Sequence, residues 1–178
     1  QLENLTITPP ANSNENFQLE ITATSTEQDG TFATSSGSIS VGVTGVADAP
    51  TLSTGDITGL EDVDIPLNIT SNLVDTDGSE TLSISISGVP AGAVLSAGSK
   101  NADGTWTLTG EDLNGLTMTP PKDVSGNFSL TVTATSTTPD GEIATTSGTV
   151  GVDVVGVADD PNLSTGVGEG QFGDSGLD

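Results

Sequence analysis

Carboxylates are the only abundant chemistry-bearing side chains in this sequence: 25 Asp and Glu stand against 2 Lys, with no Arg, His or Cys. The densest run is Asp75-Thr76-Asp77-Gly78-Ser79-Glu80. Alternate acids around a glycine turn aim several oxygens at one point, which suits Ca2+ and its demand for about 6–8 oxygen ligands. The run is like the start of an EF-hand loop, but the flanking helices and the distal Glu are missing, and that reading is rejected. A polar β-turn accounts for the glycine but not for so many acids.

The other acids fall at punctuation points. Glu61-Asp62 precedes an apolar alternation. Asp48 and the pair Asp159-Asp160 sit in Val-Ala-Asp-x-Pro junctions, and Glu111-Asp112 opens the one helical scrap, residues 111–114. Asp140, like Asp103, stands before a glycine, where a tight turn is an equally good reading. Clustered carboxylates repel one another unless neutralised, and a divalent cation is the obvious neutraliser. The candidate metal ligands are therefore Asp48, Glu61, Asp62, Asp75, Asp77, Glu80, Glu111, Asp112, Asp140, Asp159 and Asp160, with Ca2+ the expected cofactor.

The same inventory excludes function classes. A formal net charge of −23 leaves only Lys100 and Lys122 to meet phosphates, so no nucleic-acid partner is expected. Docking on an anionic membrane surface is disfavoured likewise. No apolar run approaches the ~18 residues of a membrane span. Without His, Cys or Arg, an enzyme would depend on a carboxylate pair alone, and no long loop is present to build its cleft. The chain is read as a non-enzyme.

Low hydrophobicity, 32 %, combined with high charge is also the signature of disorder. Internal repetition argues otherwise. Shifted by 111 positions, Leu5-Thr6-Ile7-Thr8-Pro9-Pro10 lies on Leu116-Thr117-Met118-Thr119-Pro120-Pro121, and Thr22-Ala23-Thr24-Ser25-Thr26 lies on Thr133-Ala134-Thr135-Ser136-Thr137. About 30 of the 51 positions from 5 to 55 are identical across this shift, without a gap. The period exceeds that of solenoid repeats and suits one β domain per repeat. Pro50 and Pro161 mark equivalent junctions. The expected organisation is the C-terminal part of one repeat at 1–49, a complete repeat at 50–160, and a linker with the start of a following repeat at 161–178.

Period-two alternation predicts strands. Val63, Ile65, Leu67 and Ile69 alternate with polar residues and Pro66 and predict one strand; so do Leu82, Ile84 and Ile86, then Trp106 and Leu108, then Phe128 to Ala134, then Val150 to Val154. Turn signals separate them at Asp77-Gly78, Val89-Pro90-Ala91-Gly92, Asp103-Gly104, Pro120-Pro121 and Asp140-Gly141. About seven strands in one period predict an all-β, Ig-like antiparallel β-sandwich.

Two phrases, Gly88-Val89-Pro90-Ala91-Gly92-Ala93-Val94-Leu95-Ser96 and Asp103-Gly104-Thr105-Trp106-Thr107-Leu108, together with Leu116–Pro121 and Phe128–Ser136, resemble the cadherin-like repeats of very large bacterial RTX-type adhesins. The resemblance covers essentially the whole chain. It implies a cadherin-like sandwich in a secreted, Ca2+-rigidified extender on the bacterial cell surface, strung between an anchor and a ligand-binding tip and supporting adhesion or biofilm formation. Neighbouring repeats of the same chain are then its partners. It also implies a division of ligands: Asp48, Asp75 and Asp77 at the upper junction, and Glu61, Glu111 and Asp159 at the lower. The Val-Ala-Asp-Ala-Pro linker departs from the cadherin pattern by carrying one acid, and the Glu111 motif lacks the usual Arg.

Two rival readings share the fold: a subunit of a self-assembling extracellular filament, and a glycan- or ligand-binding module. One Trp on an inward strand phase and no Tyr argue against a sugar platform. Residues 1–49 hold only the last strands of a repeat. Their inward residues Phe17, Leu19, Ile21, Ile39, Val41 and Val43 are expected to need cover from other chain, by strand complementation from another copy or from a further segment of the same polypeptide.

Overall fold

The structure, a computed structural model, describes residues 4–161 and Leu163. Of the segment 161–178, expected to be a linker and the start of a following repeat, all but Pro161 and Leu163 lies outside the described residues. No helix among them is long and apolar enough to cross a membrane.

The fold is an all-β sandwich, as the alternation predicts. In chain order the strands are β1 (Phe17–Thr26), β2 (Phe32–Val41), β3 (Thr51–Ser53), β4 (Ile57–Leu60), β5 (Ile65–Pro66), β6 (Thr70–Asn72), β7 (Thr81–Ser87), β8 (Val94–Leu95), β9 (Ser99–Lys100), β10 (Trp106–Thr109), β11 (Thr117–Thr119), β12 (Gly126–Thr137) and β13 (Ile143–Val155). Among the described residues one 3-10 turn, Glu111–Leu113, occupies the place of the helical scrap. One layer has the order β4-β13-β12-β7-β10-β9; the opposite layer is assembled from β5-β11-β8 and β3-β6. Every pairing is antiparallel except β4 with β13. The segment between Ser53 and Ile57 therefore carries the chain from one layer to the other.

The inward phase of the six-stranded layer, with Ile84, Ile86, Trp106, Leu108, Leu130, Val132, Val150 and Val152, closes on Ile65, Leu67, Ile69, Leu116 and Met118. Each fully buried Val, Leu or Ile contributes roughly 1.5–3 kcal/mol relative to exposure. The outward phase of the same layer carries hydroxyls in register. Thr107 faces Ser85, Ser85 faces Thr133, and Thr133 faces Ser147, whose hydroxyls hydrogen-bond at 3.0 Å.

Three expectations are revised. Val63 is 53 % exposed, because residues 61–63 form a turn. The single strand expected at 63–70 is two short ones with different partners, β5 on β11 and β6 on β3. The turn expected at Pro120-Pro121 falls at Lys122-Asp123, where Asp123 takes the positive φ of 56° that the prolines cannot adopt. At Gly88, φ is 82° and a Cβ would stand 2.4 Å from the carbonyl oxygen of Ser129, so only glycine lets the chain leave β7 this close to β12.

The two long hairpins pair identically. Phe17 faces Val41 and Thr26 faces Phe32 in β1–β2; Phe128 faces Val152 and Thr137 faces Ile143 in β12–β13, each pair displaced by 111 residues. The Thr22–Ser36 hydroxyl pair, 3.0 Å apart, repeats as Thr133–Ser147. Their surroundings differ. β12 lies between β13 and β7, whereas β1 pairs with β2 alone among the described residues.

Candidate metal centre

Strand register sorts the acids to the two ends of the sandwich. Thr81 pairs with Thr137 and Ser83 with Thr109, which gathers the loops at 73–80, 110–116 and 138–142 at the upper end. Gly126 pairs with Val154 and Leu60 with Val155, which gathers 61–64, 120–125 and 156–160 at the lower end.

At the lower end, Asp62, Asp123 and Asp159 converge: carboxylate oxygens of all three lie within 4.8 Å of one another, on the exposed surface. They arrive from three segments. Asp62 and Asp123 hold positive φ, 61° and 56°, in the left-handed region that Asp tolerates better than most residues. The Asp123 amide donates to Asp62 Oδ1 at 3.2 Å and fixes the two turns together. Glu61, next in chain, points inward and is only 7 % exposed; its Oε1 accepts the amide of Val157 at 2.6 Å, just before Asp159. The one cation at hand is Lys122, whose Nζ lies 2.9 Å from Asp123 Oδ2. Hydrogen bonding to Asp123, then the charges of Asp123, Asp62 and Asp159, hold the Lys122 ammonium above its ordinary pKa.

At the upper end the acids are more enclosed and already hydrogen-bonded by protein. Asp75, 5 % exposed, accepts the amide of Asp77 at 2.9 Å and the Ser79 hydroxyl at 3.4 Å. Asp77 Oδ1 accepts the amide of Ser79 at 2.7 Å; bonding to Ser79 holds this carboxyl below its ordinary value. Glu80, 6 % exposed, accepts the Asp48 amide at 2.9 Å and the buried Ser136 hydroxyl at 3.0 Å. Asp48 and Asp75 border one cavity of about 250 Å3, walled also by Pro9, Asn12 and Val46 of the N-terminal segment. Residues before and after Pro50 thus meet across a space bordered by Asp48, Asp75 and Asn12 together with proline and valine.

The remaining candidates separate. Glu111 borders a groove with Asp75, at the upper end, and not with Glu61 and Asp159 as the resemblance implied. The register of Thr109 opposite Ser83 puts it there. Asp112 Oδ2 accepts the amide and hydroxyl of Thr109 at 2.7 and 2.8 Å, and these bonds lower its pKa and tie the 3-10 turn back to the end of β10. Asp140 and Asp160 are exposed, Asp140 in the β12–β13 turn. Asp123 is the member that sequence reasoning missed. Its repeat counterpart, Asn12, also has positive φ, 57°, so the matched Asn/Asp after two prolines was the available signal.

The donor sets fit a hard cation. Three carboxylates without nitrogen or sulfur suit Ca2+, with further oxygens left to water or to a neighbouring unit. Like charges repel by roughly 1 kcal/mol at 4 Å even in water, and one lysine offsets only part of the trio.

Among solved structures the chain is similar to a crystal structure of mouse cadherin-23 EC22-24, at 18 % sequence identity and a TM-score of 0.42. The match covers 82 % of this chain and 44 % of that one, so the chain spans under half the length of that structure. No family model matches the chain, and no curated protein matches it.

Proposed function

We propose that this chain is a structural extender of an extracellular bacterial surface adhesin, in which Ca2+ held at the ends of each sandwich stabilises the unit and stiffens its junction with the next. The observation that carries this reading is where the acids lie. The lower end gathers Asp62, Asp123 and Asp159, and the upper end sets linker Asp48 beside Asp75. The outer face of the large sheet offers rows of hydroxyls instead. A catalyst or receptor concentrates chemistry in a cleft; a spacer concentrates it where units join.

In this reading Asp62, Asp123 and Asp159 hold the ion at the lower end, and Glu61 positions Asp159 through the Val157 amide. Asp75, Asp77 and Asp48 serve the upper end, with Glu80 clamping the linker backbone. Bound Ca2+ supplies the positive charge that cancels the repulsion among these carboxylates. Neighbouring repeats are the partners, and no turnover is expected.

Small-angle scattering of the chain tests the proposal. Millimolar Ca2+ should lengthen and narrow the distribution of particle lengths relative to chelator, in the range where extracellular modules bind, ~10⁻⁴–10⁻³ M. Identical curves with and without Ca2+ would sink it.

A further inference from the structure

One hairpin occurs twice in this chain, once covered and once partly open, with Phe17, Leu19 and Val41 half-buried but Ile21 and Ile39 exposed. Val132 and Val150 of β12–β13 are fully buried, at 0 % exposure; their counterparts Ile21 and Ile39 of β1–β2 are 42 % and 51 % exposed. Leu116, 1 % exposed, has the counterpart Leu5 at 81 %. The open edge of β1 is the edge that β12 gives to β7, with Ile86 opposite Val132, Ile84 opposite Ala134 and Leu82 opposite Ser136.

We propose that β1–β2 is a strand acceptor whose occupant is a segment of the same chemistry as residues 50–111: a strand alternating Ser with Leu and Ile along the β1 edge, and a second layer over Ile21 and Ile39. The register follows from the twin. The donor's Ile86-type residue faces Ile21, its Ile84-type residue faces Ala23, and its Leu82-type residue faces Ser25. An isolated two-stranded hairpin is marginal in water, and an unpaired edge beside an apolar face is a template for strand addition. The inference is independent of the metal, because none of these contacts involves a carboxylate.

The test compares the 178-residue chain with an extended chain in which residues 50–111 are duplicated directly before Gln1. Because Gln1 is the counterpart of Asp112, this restores the spacing of the complete unit. Amide hydrogen exchange of β1 and β2 should be fast in the parent and slow by at least about 100-fold in the extended chain, toward that of β12 and β13. Unchanged exchange at 17–26 in the extended chain overturns the proposal. Slow exchange in the parent also overturns it, and a dimeric parent would assign the face to a second copy. The chain has no cysteine, so register is testable by disulfide. Ala23→Cys should oxidise with a cysteine in place of the added copy of Ile84. Pairing of Thr22→Cys or Thr24→Cys in its stead overturns the register.

Discussion

The backbone amide of Asp48 donates to the buried carboxylate of Glu80 at 2.9 Å, across 32 residues of chain. Glu80 in turn accepts the hydroxyl of Ser136, which has no exposed surface. One carboxylate therefore ties the linker before Pro50 to the strand that ends at the β12–β13 turn.

Glu80→Ala is expected to destabilise the chain by about 1–3 kcal/mol, the cost of leaving buried donors unpaired. Ser136→Ala should cost less alone. The pair should be non-additive by about 0.5–3 kcal/mol in a double-mutant cycle followed by urea denaturation, and full additivity would show that the two groups act separately.

Calcium should raise the melting temperature. At a hundredfold excess over Kd, binding to the folded state alone adds about 2.7 kcal/mol, which corresponds to a shift on the order of 5–10 °C for a chain of this size. Calorimetry with Ca2+, with Mg2+ and with chelator checks this. Equal transitions in all three would refute a bound metal.

Asp62→Gly and Asp123→Gly separate backbone strain from metal binding. Both positions have positive φ, which glycine adopts at no steric cost. Without Ca2+, Asp123→Gly should match or slightly exceed the parent in stability, while in Asp62→Gly the relief of backbone strain is offset by loss of the bond from the Asp123 amide. With Ca2+ each should gain less than the parent. A Ca2+-dependent gain equal to the parent's would remove the trio from the metal site.

Gly88→Ala should destabilise by at least about 1–3 kcal/mol, since its Cβ would meet the Ser129 carbonyl at a positive φ. Gly104→Ala makes the comparison: its φ of 88° is similar, but its Cβ would meet nothing within 4 Å, so only the backbone strain remains. Similar losses at both sites would show that the contact with Ser129 is unimportant.

The pH dependence has a defined sign. Bonding from Thr109 holds Asp112 below the ordinary carboxylate value of 3.8, so its contribution is present above 3.8 and is lost as pH falls through the lower folded value. The gap in urea midpoint between the parent and Asp112→Asn should be constant from pH 5 to neutrality and close below about pH 4. Lys122 runs oppositely. Its folded value is raised above 10.5, so its contribution is present below 10.5 and is lost as pH rises through the higher folded value. A gap that widened in acid would contradict a stabilising bond between Thr109 and the ionised Asp112.

The inward strand faces were legible because alternation alone decides them: Ile84 and Ile86, Leu130 and Val132, and Val150 and Val152 are all buried as read. The turn at Asp103 was legible because its chemistry is local, the carboxylate accepting the Thr105 amide two residues on. Grouping of the acids was less so. Glu111 went to the wrong end because its place depends on the register of Thr109 against Ser83, which no local pattern encodes. Asp123 was overlooked because its partner Asp62 is 61 residues away and only the meeting of two turns joins them. The run at 63–70 broke because Leu67 spends its amide on Leu116 across the layer while Ile69 bonds back to Leu67.

Two nearly interchangeable hairpins in one chain create a hazard of misassembly, a known failure of repeat proteins. Small differences guard against it. Gly151 donates its amide to Asp56 at 2.8 Å, and any Cβ there would meet the same oxygen at 2.8 Å; the counterpart is Ser40. Ile21 and Ile39 would each bring an extra carbon into sites where Val132 and Val150 are fully buried. Overfilling a packed core costs roughly 1–3 kcal/mol per site. Against residues 50–111 the β1–β2 hairpin thus keeps its twin's register but packs less closely, which biases the choice between copies during folding without barring β1–β2 from a covering segment of that chemistry.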